Sequence, residues 1–263
     1  MLGCHGLPSP QPAFGLTKYF FFPGFVSATG GLPAEQGLPE ARDRFQRSAA
    51  EQTRFWERLG LGLPRTGEIQ VSLFCYADSA VDGLLRAWSG GGVRVRCLVP
   101  QGVAPAAMSA FFGIENPAAG MALRKGNLEV GVFPFLDQDD YDLLLWACDL
   151  NLVRGEDSFV RAQWAARPFL WHIYPQKDSA HWPKLQAFLG LYCADLPGDV
   201  AAALRMLWES WNEGDAARSE AAWAQFWGHR IALQAHAFHW AGRIAKPGDL
   251  AKNLAQFCQY LLK

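Results

Sequence analysis

The sequence lacks a strong net charge, a membrane span and a signal peptide. Its 24 basic and 25 acidic residues leave a net charge of −1, which gives no indication of a surface for nucleic acid or membranes. No apolar run approaches the roughly 20 residues that a membrane span needs. The first residues show no basic region followed by an apolar core, so we expect no signal peptide. A hydrophobic fraction of 50% over 263 residues is ample for one large domain or two small ones.

Paired cysteines and familiar metal or nucleophile motifs are also missing. The six cysteines are spread along the chain without a C-x-x-C pair, so we expect reduced thiols in a cytoplasmic protein rather than disulfides. The histidines His229, His236 and His239 share one helical stretch, but zinc would need further ligands nearby. We therefore interpret them as structural and predict no metal site. Neither a nucleophile elbow nor a phosphate-binding P-loop pattern occurs.

An alternation of apolar runs and helical patterns begins near residue 68. The runs predict strands, and the stretches between them predict helices, which is typical of βαβ units and a parallel sheet. A further helix is predicted over 42–59, and the chain after residue 175 is predicted to be helical over 179–189, 199–212, 219–240 and 249–262. The predicted strands are 69–74, 93–99, 128–133, 147–153 and 169–173, with helices near 79–89, 105–112, 138–148 and 157–166.

The most informative segment runs from Asn151 to Trp164. An apolar run breaks at Arg154 and Gly155, and a helix begins directly afterwards with two acidic residues and a serine. A strand, a glycine turn and a helix start present free backbone N–H groups and a positive dipole end to an anion. The segment therefore indicates a phosphorylated ligand at the edge of the sheet, although acidic residues and serine at a helix start also serve as ordinary caps.

Several long motifs, in the same order, closely resemble the EarP family, the protein-arginine rhamnosyltransferases that modify elongation factor P in bacteria. The resemblance extends from about His5 to the C-terminus. Besides the segment described above, it rests on Lys18–Phe25, Thr29–Gly31, Phe133–Trp146 and Ala166–Gln176.

The resemblance implies an α/β fold of the GT-B type, in which one Rossmann-like domain with a parallel sheet binds the nucleotide-sugar. We expect residues 1–67 to be the tail of the N-terminal, acceptor-side domain, 68–240 to be the donor domain, and 241–263 to be a helix that crosses back. Relative to the family, more than a hundred N-terminal residues are expected to be absent, including the acids that activate the acceptor. Residues 20–25 and the last helix would then expose apolar surface.

The resemblance also implies roles for nine residues around dTDP-β-L-rhamnose. Phe135 and Gln138 would hold the thymine ring by stacking and hydrogen bonding, although Phe135 could instead belong to the core. Phe74 would form a wall of the pocket. The residues implied around the diphosphate are Tyr76, Arg154, Ser158 and Tyr174.

Two acidic residues at the predicted helix start receive different roles. Asp157 would orient the ribose or loop groups, because a carboxylate facing a diphosphate would repel it. Glu156 is implied near the sugar, with a part in catalysis. Its alternative role is that of a plain helix-end charge. Arg161 is expected to form a salt bridge on the helix and is not included in the site.

The function implied is inverting transfer of L-rhamnose from dTDP-β-L-rhamnose to an arginine side chain of elongation factor P, without metal or other cofactor. The partners implied are the nucleotide-sugar and elongation factor P, with no nucleic acid or membrane. Three alternatives remain open: a donor-binding fragment that transfers nothing, a different nucleotide-sugar enzyme such as a UDP-dependent one, and an unstable truncated chain.

Overall fold

The chain begins with a small hairpin and a pair of helices that precede the main sheet. The computed structural model describes residues 2–262. The sequence does not predict the hairpin, because its first strand contains two prolines and shows no apolar alternation. The first four elements are β1 (Pro8–Gln11), β2 (Leu16–Tyr19), α1 (Leu38–Arg47) and α2 (Ala49–Leu59).

A six-stranded sheet forms the centre of the molecule. Its strands are β3 (Ile69–Leu73), β4 (Val95–Pro100), β5 (Ala122–Lys125), β6 (Leu128–Phe133), β7 (Leu150–Arg154) and β8 (Phe169–His172). The spatial order is β5-β6-β4-β3-β7-β8, and only the edge strand β5 runs antiparallel to its neighbour. This is the Rossmann-like order, and the winding reverses between β3 and β7, where such sheets bind their ligands.

Helices cover both faces of the sheet, which confirms the predicted α/β class. Within residues 2–262, no helix is both long and apolar enough to cross a bilayer. In chain order the helices are α3 (Val81–Gly90), α4 (Pro105–Phe112), α5 (Gln138–Ala147), α6 (Glu156–Trp164), α7 (His181–Tyr192), α8 (Gly198–Glu213), α9 (Ala216–Gly228), α10 (Arg230–Ile244) and α11 (Leu250–Leu261).

The central strands are buried along their whole length. Every residue of β3, β4 and β8 is buried, as expected for parallel strands that are covered on both faces. Two buried polar side chains on adjacent strands are paired: the Ser72 hydroxyl on β3 donates to Oδ1 of Asn151 on β7 at 2.6 Å, and Asn151 Nδ2 donates to the Leu145 carbonyl at 2.9 Å. These bonds join β3, β7 and α5 at the point where the winding reverses.

Two helices predicted as continuous are each broken in two. The prediction of one helix over 42–59 is wrong because Ser48 adopts extended backbone angles and its hydroxyl accepts from the Glu51 N–H at 3.2 Å, capping α2. A serine side chain thus replaces the backbone partner that would continue the helix. The prediction of one helix over 219–240 is wrong because the chain leaves the helical conformation at His229, after Gly228, and glycine is common at helix ends.

The last helix packs on the first part of the chain. Asn253 Nδ2 donates to the Gly30 carbonyl at 2.9 Å, and the Phe257 and Phe21 rings lie 5.2 Å apart. Gly31 has a φ of +82°, and a side chain there would lie 2.2 Å from the Gly248 carbonyl oxygen. The second glycine of the Thr29–Gly31 motif is therefore required by a close backbone approach. The predicted division into segments 1–67, 68–240 and 241–263 stays a prediction.

Exposed apolar side chains are concentrated on the hairpin and the end of α11. Phe14 and Tyr260 are 77% and 76% exposed, and no residue of α11 is buried. The prediction of apolar exposure on the last helix is therefore confirmed. The phenylalanines of the 20–25 segment are only half-buried. Phe20, Phe21 and Phe22 pack on one another, on His5 and on the last helix, whereas Phe25 packs on Phe159, Phe188 and Trp240.

Candidate active site

The predicted site residues converge on the carboxyl-terminal edge of the sheet, around the β3–β7 reversal. Loops after β3, β6, β7 and β8 supply them. Sequence alone predicts this convergence, because parallel strands all end at the same edge. The residues at this edge are Phe74 and Tyr76 after β3, Phe135 and Gln138 after β6, Arg154 at the end of β7, Glu156, Asp157 and Ser158 at the start of α6, and Tyr174 after β8.

An aromatic and amide pocket lies on the β6 side of this edge. The rings of Phe74 and Phe135 meet edge to face with centroids 5.9 Å apart. They line a cavity of about 150 Å³ together with Gln138, Tyr141 and Ser158. Phe135 is 64% exposed, so the interpretation of Phe135 as a core residue is wrong. Its ring face is available for stacking, and an aromatic face beside an amide suits a flat heterocycle with hydrogen-bonding edges.

Tyr141 is a cavity residue that the sequence argument missed. Its hydroxyl is buried, and burial raises the pKa of the phenol to about 12 while Ser158 opposes the shift. Tyr141 lies three residues after Gln138 on α5, and residues with this spacing share one helix face. That spacing is the signal that could have identified it.

Arg154 lies between two aromatic faces. Its guanidinium carbon is 4.1 Å from the Phe74 ring centroid and 5.0 Å from that of Tyr76, within cation–π range. Nη1 donates to the Cys75 carbonyl at 3.0 Å. The Tyr76 ring in turn meets the Tyr174 ring edge to face at 5.6 Å. The rings and the carbonyl hold the guanidinium in place without neutralising it, so its remaining N–H groups suit a phosphate.

The start of α6 presents backbone N–H groups to this edge. The residue before the helix is Gly155, with φ 72° and ψ −178°, a conformation that only glycine adopts readily. No side chain caps the first turn, and the Trp171 indole N–H donates to the Gly155 carbonyl at 2.9 Å. The Trp171 side chain therefore anchors the turn, while the first N–H groups of α6 stay available to an anion.

The two acidic residues of the first turn lie at the border of a second cavity. Glu156 and Asp157 are both exposed and line a cavity of about 430 Å³. Its walls are mostly apolar and come mainly from segment 23–35, α6 and α7, with Trp171 and Leu250. Asp157 also lines the smaller aromatic pocket, whereas Glu156 does not. The first turn of α6 thus separates the two cavities, and Glu156 lies away from the aromatic pocket.

Arg161 forms more salt bridges than the single one that the sequence predicts. It donates to Asp157 at 3.1 Å on its own helix, to Asp142 on α5 at 2.8 Å and to Glu35 at 2.9 Å. The guanidinium therefore joins α6, α5 and the N-terminal segment. It also pairs with the Asp157 carboxylate next to the site, whose side chain is 72% exposed.

Asp142 is the most buried of the three carboxylates that share this guanidinium, so it should titrate abnormally. Burial raises the pKa of the Asp142 carboxyl to about 6, and Arg161 offsets only part of the effect. A raised pKa in the folded chain stabilises the fold at low pH and ceases to do so as the pH rises through 6. The gap from the ordinary value of 3.8 corresponds to about 3 kcal/mol.

We therefore expect wild type to lose about 2–3 kcal/mol of unfolding free energy relative to Asp142→Asn between pH 4 and pH 7. Urea denaturation at four pH values measures this difference. Asp195→Asn, which removes an exposed carboxylate paired with Arg243, should run parallel to wild type. A wild-type curve that also runs parallel to Asp142→Asn would contradict the interpretation.

A metal centre has no evident ligand set here. Across residues 2–262, no group of three or more histidine, cysteine, aspartate or glutamate side chains is placed to hold a metal ion. Burial lowers the pKa of His236, which lies edge to face against Tyr192. Such a packing contact supports the interpretation of this histidine as a structural residue.

Residues 1–259 match the family model described as Elongation-Factor P (EF-P) rhamnosyltransferase EarP. Two relatives named protein-arginine rhamnosyltransferase, from Pseudomonas putida KT2440 and Pseudomonas aeruginosa PAO1, are 47% and 46% identical over 256 and 254 residues. Each match covers 97% of this chain and 67% or 66% of the relative. The chain thus spans about two thirds of the length of the curated relatives that it matches.

The chain superposes with a TM-score of 0.83, at 41% identity, on a solved structure. That structure concerns the structural basis for EarP-mediated arginine glycosylation of translation elongation factor EF-P. The match covers 92% of this chain and 76% of that one. It confirms the predicted fold class, an α/β protein of the GT-B type with a Rossmann-like parallel sheet. With a family model that matches nearly the whole chain and relatives well above 30% identity, the chain belongs to the EarP family of elongation-factor P rhamnosyltransferases.

Proposed function

We propose that this chain binds the donor in an inverting glycosyltransferase that moves L-rhamnose from dTDP-β-L-rhamnose to an arginine side chain of elongation factor P. One observation carries the proposal: an exposed aromatic face, an arginine free of acidic partners among the described residues, and an uncapped helix start meet at one sheet edge. The names of the Pseudomonas relatives and the subject of the related structure support the acceptor.

The donor is proposed to lie across the first turn of α6. The thymine ring would stack on Phe135 with Gln138 at its edge, and Phe74 would close the pocket. The diphosphate would face Arg154, Ser158 and the N–H groups of α6. Tyr76 and Tyr174 would flank it, and Asp157, held by Arg161, would orient the ribose. The sugar would then project past Glu156.

Catalysis would rest on stabilising the leaving group. As the glycosidic bond breaks, negative charge would grow on dTDP, and the fixed positive charge of the Arg154 guanidinium and the α6 N-terminus would lower that barrier. We propose that no metal or other cofactor takes part. Direct displacement through an oxocarbenium-like state would invert the anomeric centre.

The acceptor poses the harder chemical problem. A guanidinium has a pKa above about 12, so its nitrogen is a poor nucleophile unless carboxylates orient it and localise its charge. Glu156 is exposed at the mouth of the larger cavity and is the carboxylate of this chain that we propose to contribute to this role. We also propose a cytoplasmic location, which is consistent with six free cysteines.

Isothermal titration of this chain with dTDP-rhamnose beside UDP-glucose tests the donor assignment. We expect saturable binding of the first and much weaker binding of the second, because uracil lacks the methyl group of thymine and glucose differs from the deoxysugar. Tighter binding of UDP-glucose would favour a different nucleotide-sugar enzyme. A folded chain that binds neither would contradict the proposed site. Selective binding without transfer to elongation factor P would favour a donor-binding chain.

A further inference from the structure

One peptide group beside the candidate site is held at both ends by side chains. The peptide between Cys75 and Tyr76 follows β3. Its carbonyl accepts from Arg154 Nη1 at 3.0 Å, and its N–H donates to Nδ1 of His172 at 3.2 Å. Arg154 and His172 are themselves direct partners in the β7–β8 register. Side chains from two adjacent strands, β7 and β8, thus fix the plane of a peptide in the loop that follows β3.

His172 lies beneath the aromatic residues of the site. It is 1% exposed, and its ring meets the Tyr76 ring edge to face at 5.2 Å and the Trp211 ring at 5.7 Å. Nε2 lies 3.6 Å from Oδ1 of Asp78. Because Nδ1 accepts the Tyr76 N–H, the ring proton must reside on Nε2, on the side of Asp78.

The ring acts as an acceptor only while it is neutral. Burial lowers the pKa of His172 to about 4. Asp78 opposes this shift, and the Arg154 guanidinium and His181 add to it. A protonated ring would set an N–H of Nδ1 against the N–H of Tyr76 and would add a positive charge beneath Arg154. Near neutral pH the peptide is therefore clamped.

We propose that His172 is a positioning residue for binding of a nucleoside diphosphate: its Nδ1 fixes the Cys75–Tyr76 peptide, and so orients the Tyr76 ring and Arg154 before the ligand arrives. The inference rests on the proposed function, because it takes the diphosphate to bind at Arg154. It gives a role to the histidine inside the Ala166–Gln176 motif, which is buried against Tyr76. A site ordered in advance loses less entropy on binding.

Two substitutions separate the acceptor from the shape of the ring. His172→Phe keeps a buried aromatic ring but removes the acceptor, whereas His172→Asn places an oxygen near the position of Nδ1. With dTDP as the probe in isothermal titration of this chain, we expect about tenfold weaker binding by the Phe variant, as for a buried donor left without a partner. The Asn variant should stay within about threefold of wild type.

His5→Phe is the matched control. Nδ1 of His5 likewise accepts a backbone N–H, that of Phe22 at 3.0 Å, but it lies in the N-terminal segment beside α11. We expect this variant to bind dTDP like wild type. Equal binding by wild type and His172→Phe would overturn the proposal, as would equal losses in the Phe and Asn variants. No binding by wild type would instead overturn the proposed function, and this inference with it.

A measurement on wild type keeps the test decisive if the Phe variant does not fold. Nitrogen-15 NMR of the histidine rings at pH 7 should find His172 neutral and protonated on Nε2 in the ligand-free chain. The Tyr76 amide should exchange slowly with solvent before dTDP is added. A ring protonated on Nδ1, or fast exchange of that amide, would contradict the clamp.

Discussion

Replacing Arg154 with alanine is expected to weaken binding of dTDP-rhamnose by roughly 1.5–3 kcal/mol, a loss of about 10- to 150-fold in affinity. The physical reason is a charged hydrogen bond to phosphate formed by a guanidinium that aromatic faces hold in place. Isothermal titration with dTDP and with dTDP-rhamnose measures the effect. The loss should be similar for both ligands, because the contact is to the diphosphate and not to the sugar.

Arg154 also supports the Cys75 carbonyl, so structural loss must be separated from ligand loss. Arg154→Lys keeps the charge but cannot hold a carbonyl and a phosphate in one planar fork, and an intermediate affinity is expected. Arg86→Ala, which breaks an exposed pair with Glu220, should leave affinity unchanged. Melting temperatures identify any variant that binds poorly because it is partly unfolded. Unchanged affinity of a folded Arg154→Ala chain would remove Arg154 from the site.

Much of the central fold could be predicted from the sequence because its parallel strands are buried on both faces. Continuous apolar runs such as 128–133 mark such strands, and the structure places β6 over that same range. The edge strand β5 was beyond prediction because three of its four residues are exposed and it carries little apolar signal. The breaks at Ser48 and His229 were missed since apolar residues keep a helical spacing across them, as at Phe45 and Ala49 and at Phe226 and Leu233.

The candidate site, too, could be predicted only in part from the sequence. The family resemblance implies the site residues, and their meeting at one edge could be predicted because each follows a parallel strand and all such strands end at the same edge. The partners that hold these residues could not, because they depend on register and on distant segments. Arg161 bridges to Glu35, 126 residues away in the chain. The His172 clamp requires that β8 align residue by residue with β7, which no local pattern reveals.

Replacing Gly155 with alanine is expected to damage both stability and binding. At φ 72° and ψ −178°, a residue with a side chain is strained by about 1–3 kcal/mol. A built-in Cβ would meet only Tyr76 Oη at 3.6 Å, an ordinary contact, so the cost is conformational and not steric. The chain can relieve the strain by rotating the turn, which would move the first N–H groups of α6 away from the diphosphate.

Urea denaturation should therefore show that Gly155→Ala is less stable than wild type by about 1–3 kcal/mol. Titration should show that the folded molecules of this variant bind dTDP more weakly than wild type does. Gly242→Ala provides a control of opposite sign. Gly242 lies within α10, has no positive φ, and has open space where a Cβ would stand. Alanine there should stabilise the chain by about 0.5–1 kcal/mol with unchanged affinity. If Gly155→Ala matched wild type in both measurements, the conformation at Gly155 would not be needed to orient these N–H groups. The proposal that the start of α6 binds the diphosphate would then be contradicted.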